Sequence, residues 1–366
     1  HAANMLQYVA DLMLLSFEST NLTQVSSVAD VVVMFCRAYE TASAVIVERQ
    51  RDSEEDGTTV SYFEQQQQAT LDTLAGCFTS MIGVAQQILL SASEADVVVA
   101  HSLVQNVLAI GLFLSRKEFW AKMMLQQNIE ATLKLKLFKF YTSIERPDLV
   151  ESIKDAIAAT KNGGHNKLFN DLQQQYNREM PHDNSCNWRD VVCAVKNIAT
   201  FVLAKINRAK AKSHDPDVGK AGAILRSTLQ IFANLLGHTS CYEPFCGRYL
   251  NGIGHNHESP LPRLSIVPLL TDVLRNSTKE QLPFECTEIA LTLLECCVVY
   301  ARSSAVVDPD GEAESASIFR LCDVQGALLG ARACHIGRSE HFVVHTNLVK
   351  LSVEDFLSVR KPTERR

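Results

Sequence analysis

Proline and glycine are scarce in this chain, at 10 and 16 of 366 residues. A turn-rich β fold needs both at frequent intervals, so their scarcity excludes one and favours long helices. No charge sign dominates: the net charge is −6 and the pI is about 6.0. A chain-wide nucleic-acid surface is therefore not expected, although a local basic patch is compatible with that balance. No basic-then-apolar signal segment opens the sequence. The most apolar stretch, Val97 to Leu114, is broken by His101, Gln105 and Asn106. Polar side chains facing lipid are costly, so this stretch is expected to be a buried core helix and the chain to have no membrane span.

Catalytic signatures are missing too. There is no Gly-x-Ser-x-Gly elbow, and Gly219-Lys220 lacks the upstream glycine of a phosphate loop and is followed by Ala221. The glycines at 247, 252 and 254 do not follow a strand pattern. A Cys-His nucleophile pair remains conceivable, because such partners meet only in three dimensions. With eleven of each residue, chance pairs are plentiful. The sequence is not expected to encode an enzyme.

What is present is apolar material at helical spacing. Hydrophobic residues are 46% of the chain and charged residues 21%, enough to build a continuous core. Leu71, Leu74, Phe78, Met81, Ile82, Ala85, Ile88 and Leu89 recur at three- and four-residue steps. That rhythm lines a wide stripe along one helix, and the stripe needs a neighbour to cover it. Segments of this kind predict helices at 2–17, 26–49, 60–91, 94–115, 117–143, 147–160, 165–178, 187–212, 217–237, 263–276, 283–302, 314–334 and 341–350. Several ends carry their own signals. Ser93 with Asp96 forms a capping pair, Pro147 suits a first turn, Asn162-Gly163-Gly164 suits a stop, and Asp215-Pro216 suits a break.

Eleven cysteines, an odd number without a regular framework, argue against a disulfide scaffold. Cys36, Cys77, Cys193, Cys286, Cys296 and Cys297 fall in apolar runs, where cysteine packs as a small hydrophobe. A reducing, intracellular compartment, cytoplasmic or nuclear, is the expected location. The helical pattern starts almost at His1, with Met5, Leu6 and Val9 already on an apolar face. The sequence is thus expected to begin inside a larger array, with a processed terminus as the alternative.

Short links between helices imply antiparallel hairpins, and pairs spanning roughly 40–50 residues match the period of HEAT and armadillo units. The segments ending Leu89-Leu90-Ser91, Leu235-Leu236-Gly237 and Val298-Val299-Tyr300 share a texture without a strict signature. The chain resembles a degenerate HEAT/armadillo-type array: all-α, an irregular α-solenoid of stacked antiparallel helix pairs. Its expected organisation is an N-terminal helical array over 1–237, a long loop at 238–262, and a continuing array over 263–366. That resemblance implies a non-enzymatic scaffold or adaptor that binds protein partners as part of a larger assembly. The large helical nucleoporins of the nuclear-pore inner ring have a similar irregular texture. Near the end of the array, Phe342, Phe356 and Leu357 are expected as exposed apolar residues that either meet a neighbour or cap the last helix, with capping favoured.

Three clusters could carry more specific chemistry. In the 238–262 loop, Cys241, Cys246, His255 and His257 supply two thiolates and two imidazoles, a set that suits tetrahedral zinc. Their Cys-x4-Cys and His-x-His spacing is not that of a common finger, and a loop held by Tyr242, Phe245 and Tyr249 is the plainer reading, so no cofactor is expected. A second cluster joins Cys334-His335 to His341 and His345. The last two lie four apart, on one helical face. No neighbouring acidic residue completes a His-Glu-x-x-His pattern, so surface or half-buried histidines are expected. A third group is basic: Lys196, Lys205, Arg208, Lys210 and Lys212, followed by Lys220 and Arg226. Cations at a helix C-terminus offset the macrodipole without any ligand. Docking of nucleic acid or an acidic partner is the alternative, weakened because no aromatic residues interleave with the charges from Lys205 to Arg226.

Overall fold

The computed structural model describes residues 97–118, 145–161, 191–208, 216–250, 265–277, 282–304 and 316–358. To these it adds residues 81–83 and 85–92 and single positions at 27, 30, 33, 34, 78, 120, 121, 141, 142 and 172. Among the described residues the chain is all-α and contains no strand. The helices that position the surfaces considered below are α1 (Val97–Ser115), α2 (Pro147–Lys161), α3 (Val191–Arg208), α4 (Pro216–Gly237) and α5 (Thr239–Leu250). They continue with α6 (Val267–Arg275), α7 (Phe284–Ser304), α8 (Val324–His335) and α9 (Glu340–Ser358).

Local chemistry sets several of these limits. Pro147 and Pro216 open α2 and α4, where a missing N–H costs nothing. Just before α2, Arg146 pairs with Asp148 through both carboxylate oxygens, at 3.0 and 2.8 Å, and holds that carboxyl below its usual range. Asp323 caps α8 by accepting from the Gly326 N–H at 3.2 Å. Its own backbone is left-handed, at φ 49°, a conformation that aspartate tolerates better than most residues. The Ser93–Asp96 pair and the Asn162-Gly163-Gly164 stop lie outside the described residues.

α4 sits at the centre. Ile224, Leu225, Leu229, Ile231, Phe232 and Leu235 are buried along one broad face of it, and α1, α3, α5 and α7 each pack against it. Even Thr228 is enclosed, and its hydroxyl donates to the Leu225 carbonyl at 2.6 Å. α1 meets α4 with C-terminal ends together: Asn234 Nδ2 donates to Ser115 Oγ at 2.9 Å, and the His238 ring lies 2.8 Å from the Ser115 carbonyl. At this crossing Gly111 touches Phe78 and Ile231. A Cβ there would stand 2.5 Å from the Phe78 ring. α1 is the one helix among the described residues that is long and apolar enough to cross a membrane. Leu103, Val104, Val107, Leu108 and Leu114 are buried inside the protein, so packing accounts for that apolarity.

Two sets of contacts repeat. α4 packs on α7, and α7 on α9, while α3 packs on α6, and α6 on α8. The pairs α3–α4, α6–α7 and α8–α9, each consecutive in the chain, also pack together. The starts of α4 and α7 meet where the Cys286 thiol approaches the Gly222 carbonyl at 3.9 Å. The ends of α7 and α9 meet where Arg302 pairs with Asp355 at 2.6 Å. α1, α4, α7 and α9 therefore run in the same direction. The apolar stripe around Phe78 to Leu89 lies in the same core. Phe78, Met81, Ile82, Ala85 and Leu89 are buried and Ile88 packs against them, while Leu71 and Leu74 lie outside the described residues.

One expectation needs correcting. Residues 239–250 form helix α5 rather than the first half of a loop. Tyr242, Phe245 and Cys246 fall at i, i+3 and i+4, a helical rhythm. Pro244 and Gly247 disguise it, since both penalise a helix interior. Burial of Phe245, tilted against Phe232 with ring centroids 6.0 Å apart, outweighs those penalties. The remainder of the expected loop, 251–262, lies outside the described residues.

Candidate functional site

Cys241 and Cys246 lie on α5 and are fully buried in the hydrophobic core. A separation of five residues puts them on helix faces roughly 140° apart. Burial drives the Cys246 thiol well above its ordinary range, and Cys296 beside it adds to the rise. Cys297, in the same region of α7, is raised for the same first reason. Cys286 is pushed up to about 12 by burial, with Glu285 contributing and Arg226 opposing. Such thiols stay protonated and pack as small hydrophobes. The α5–α7 contact is completed by Tyr242, whose hydroxyl donates to the Cys296 carbonyl at 2.9 Å and whose ring meets Tyr300 edge-on at 5.9 Å. His255 and His257, the other half of the expected zinc set, lie outside the described residues.

The basic group divides in the same way. Lys205 and Arg208 occupy the last turn of α3, where positive charge offsets the helix dipole. Lys210 and Lys212 lie outside the described residues. Lys220 and Arg226 stand on α4, the second of them exposed.

The second histidine cluster separates into two environments. His335 is buried between Phe284 and Phe342, with ring centroids at 4.8 and 4.9 Å. Burial pulls its pKa below the usual value, and nearby Arg338 pulls the same way, against Glu288 and a hydrogen bond at Ser277. His345 instead bonds Glu295 of α7 across the helix interface, Nε2 to Oε2 at 2.8 Å. His341 is exposed one turn earlier.

A different surface stands out on α9. Phe342, Val349, Val353 and Phe356 face inward and are buried, with Leu357 packed beside them. Phe342 and Phe356 therefore cap the core. On the opposite side, His341, Val344, Leu348, Leu351 and Asp355 form an exposed line at alternating steps of three and four. Val344, Leu348 and Leu351 are 52%, 57% and 59% exposed. Single exposed apolar residues are ordinary, but three in succession along one helix form a seam. The outer line of α7 differs: Glu285 and Thr292 precede Val299. A three-four seam is the geometry into which a second helix sets its side chains. The sequence carries this seam openly, in Val344-x3-Leu348-x2-Leu351. It escapes sequence reasoning because a stripe on either face of α9 satisfies the same period, and only packing shows which one is covered.

Comparison with known proteins supplies no relative: no family model, curated protein or solved structure matches this chain.

Proposed function

We propose that this chain is a non-enzymatic scaffold or adaptor built as an irregular α-solenoid, which holds a protein partner within a larger assembly. Two features support the architectural part. Consecutive helices pair, and the pairs touch their neighbours through both members. In a solenoid each unit contacts only the next, and that produces two such series. The buried thiols of Cys246, Cys286 and Cys297, which stand outside any disulfide, favour a reducing compartment, cytoplasmic or nuclear.

The observation that carries the functional part is the exposed Val344–Leu348–Leu351 seam on α9. Its fitting partner is an amphipathic helix that lays apolar residues along it at i, i+3 and i+7. The test uses the double variant Leu348→Lys, Leu351→Lys. Both side chains are exposed, so folding stability is expected to move by no more than about 0.5 kcal/mol, read by urea denaturation. Partner binding, read by affinity purification and quantitative mass spectrometry, is expected to be lost. Retention of every partner by a folded double variant overturns the proposal.

A further inference from the structure

We propose that His341 and His345 of α9, together with Glu295 of α7, bind a divalent transition-metal ion such as zinc, which clamps α9 to α7. The two imidazoles lie four residues apart on one helix, with ring centroids separated by 6.3 Å. The third donor comes from another helix: Glu295 Oε2 stands 2.8 Å from His345 Nε2. Zinc binds imidazole nitrogen and carboxylate oxygen at about 2.0–2.2 Å, so two donors on a tetrahedral ion stand about 3.4 Å apart. Opening the His345–Glu295 contact by about half an ångström therefore admits the ion in place of the shared proton. His345 then binds as its other tautomer, with the proton on Nδ1.

His341 supplies the remaining movement. As the side chains stand, no three such ligands among the described residues enclose an ion. Two imidazoles on one tetrahedral zinc have centroids about 5 Å apart, so the exposed His341 ring turns inward by about 1 Å. An exposed side chain makes that turn at little cost. The ligand set, two neutral nitrogens and one carboxylate, leaves a fourth position for water and suits zinc, nickel or copper over calcium or magnesium. Glu295 is what a sequence pattern cannot supply here, because it lies 46 positions before His341 on a different helix.

The full chain without an affinity tag is dialysed against zinc alone, and its thermal midpoint is measured with and without the ion. The wild type is expected to bind one equivalent that His341→Ala and Glu295→Gln each weaken about tenfold or more. Zinc is expected to raise the wild-type midpoint by more than that of His341→Ala at the same concentration. His341 is exposed, so that variant is expected to match the wild-type midpoint in the absence of metal. Two results overturn the proposal: wild-type protein that takes up no zinc, or zinc binding and stabilisation that persist unchanged in both variants.

Discussion

At the scale of single residues, a helix tolerates an added methyl group only where space exists. Gly111 and Gly330 are both helical, yet an added methyl group meets opposite conditions at the two. At Gly111 it collides with Phe78 and crowds Ile231, whereas at Gly330 nothing lies within 4 Å. Alanine is the better helix former by about 1 kcal/mol. Gly330→Ala is therefore expected to stabilise the protein by about 0.5–1 kcal/mol. Gly111→Ala is expected to destabilise it by about 1–3 kcal/mol through overpacking. Urea denaturation of the two variants measures both. His335 gives a second expectation. Its folded pKa lies below the ordinary value of 6.5, so the folded state binds fewer protons than the unfolded state. Its contribution to stability is then present above that ordinary value and is lost as pH falls through the folded value. The unfolding midpoint of the wild type should decline across this acidic range, and His335→Gln should remove part of the slope. An identical slope in the variant would contradict the assignment.

At the scale of elements, ends and faces decide what each helix does. Asp323 caps α8 and also lies 3.7 Å from Arg275 at the end of α6; the same guanidinium donates to the Cys322 carbonyl. Asp323→Ala is expected to cost about 1 kcal/mol in unfolding free energy. Asp323→Asn should cost less, since asparagine caps well and tolerates the left-handed backbone. Much at this scale is legible in the sequence. Pro147 and Pro216 mark the starts of α2 and α4, and Phe342 stands on the inward face of a helix expected from 341. The α5 helix is not legible, because Pro244 and Gly247 oppose it locally and only burial of Phe245 against Phe232 makes it favourable. α9 extends to Ser358, past the expected end at 350. Val353 and Phe356 continue the inward face there, but intervening Glu354 and Asp355 make the stretch read as polar.

At the scale of the whole molecule, the buried thiols provide an internal gauge of cooperativity. Cys246 and Cys297 lie in the shared core of α5 and α7 and are protonated. They are expected to resist alkylation in the native protein and to react at a rate set by global unfolding rather than by local opening. What the sequence leaves hidden at this scale is pairing across distance. Ser115 with Asn234, Glu295 with His345, and Arg302 with Asp355 join residues from 50 to 119 positions apart. No periodicity within one helix encodes such a partner. The exposed side of α9 belongs to this class, since the role proposed for it depends on a molecule other than this chain.

The most direct test of the scaffold account is cross-linking mass spectrometry on assemblies purified through this chain, with Lys350 on α9 as a reporter beside the seam. The account predicts that one partner is cross-linked to α9 in the wild type, and that this partner is lost from the folded Leu348→Lys, Leu351→Lys variant. A stable assembly whose cross-links avoid α9 and whose composition is the same in wild type and variant would contradict it.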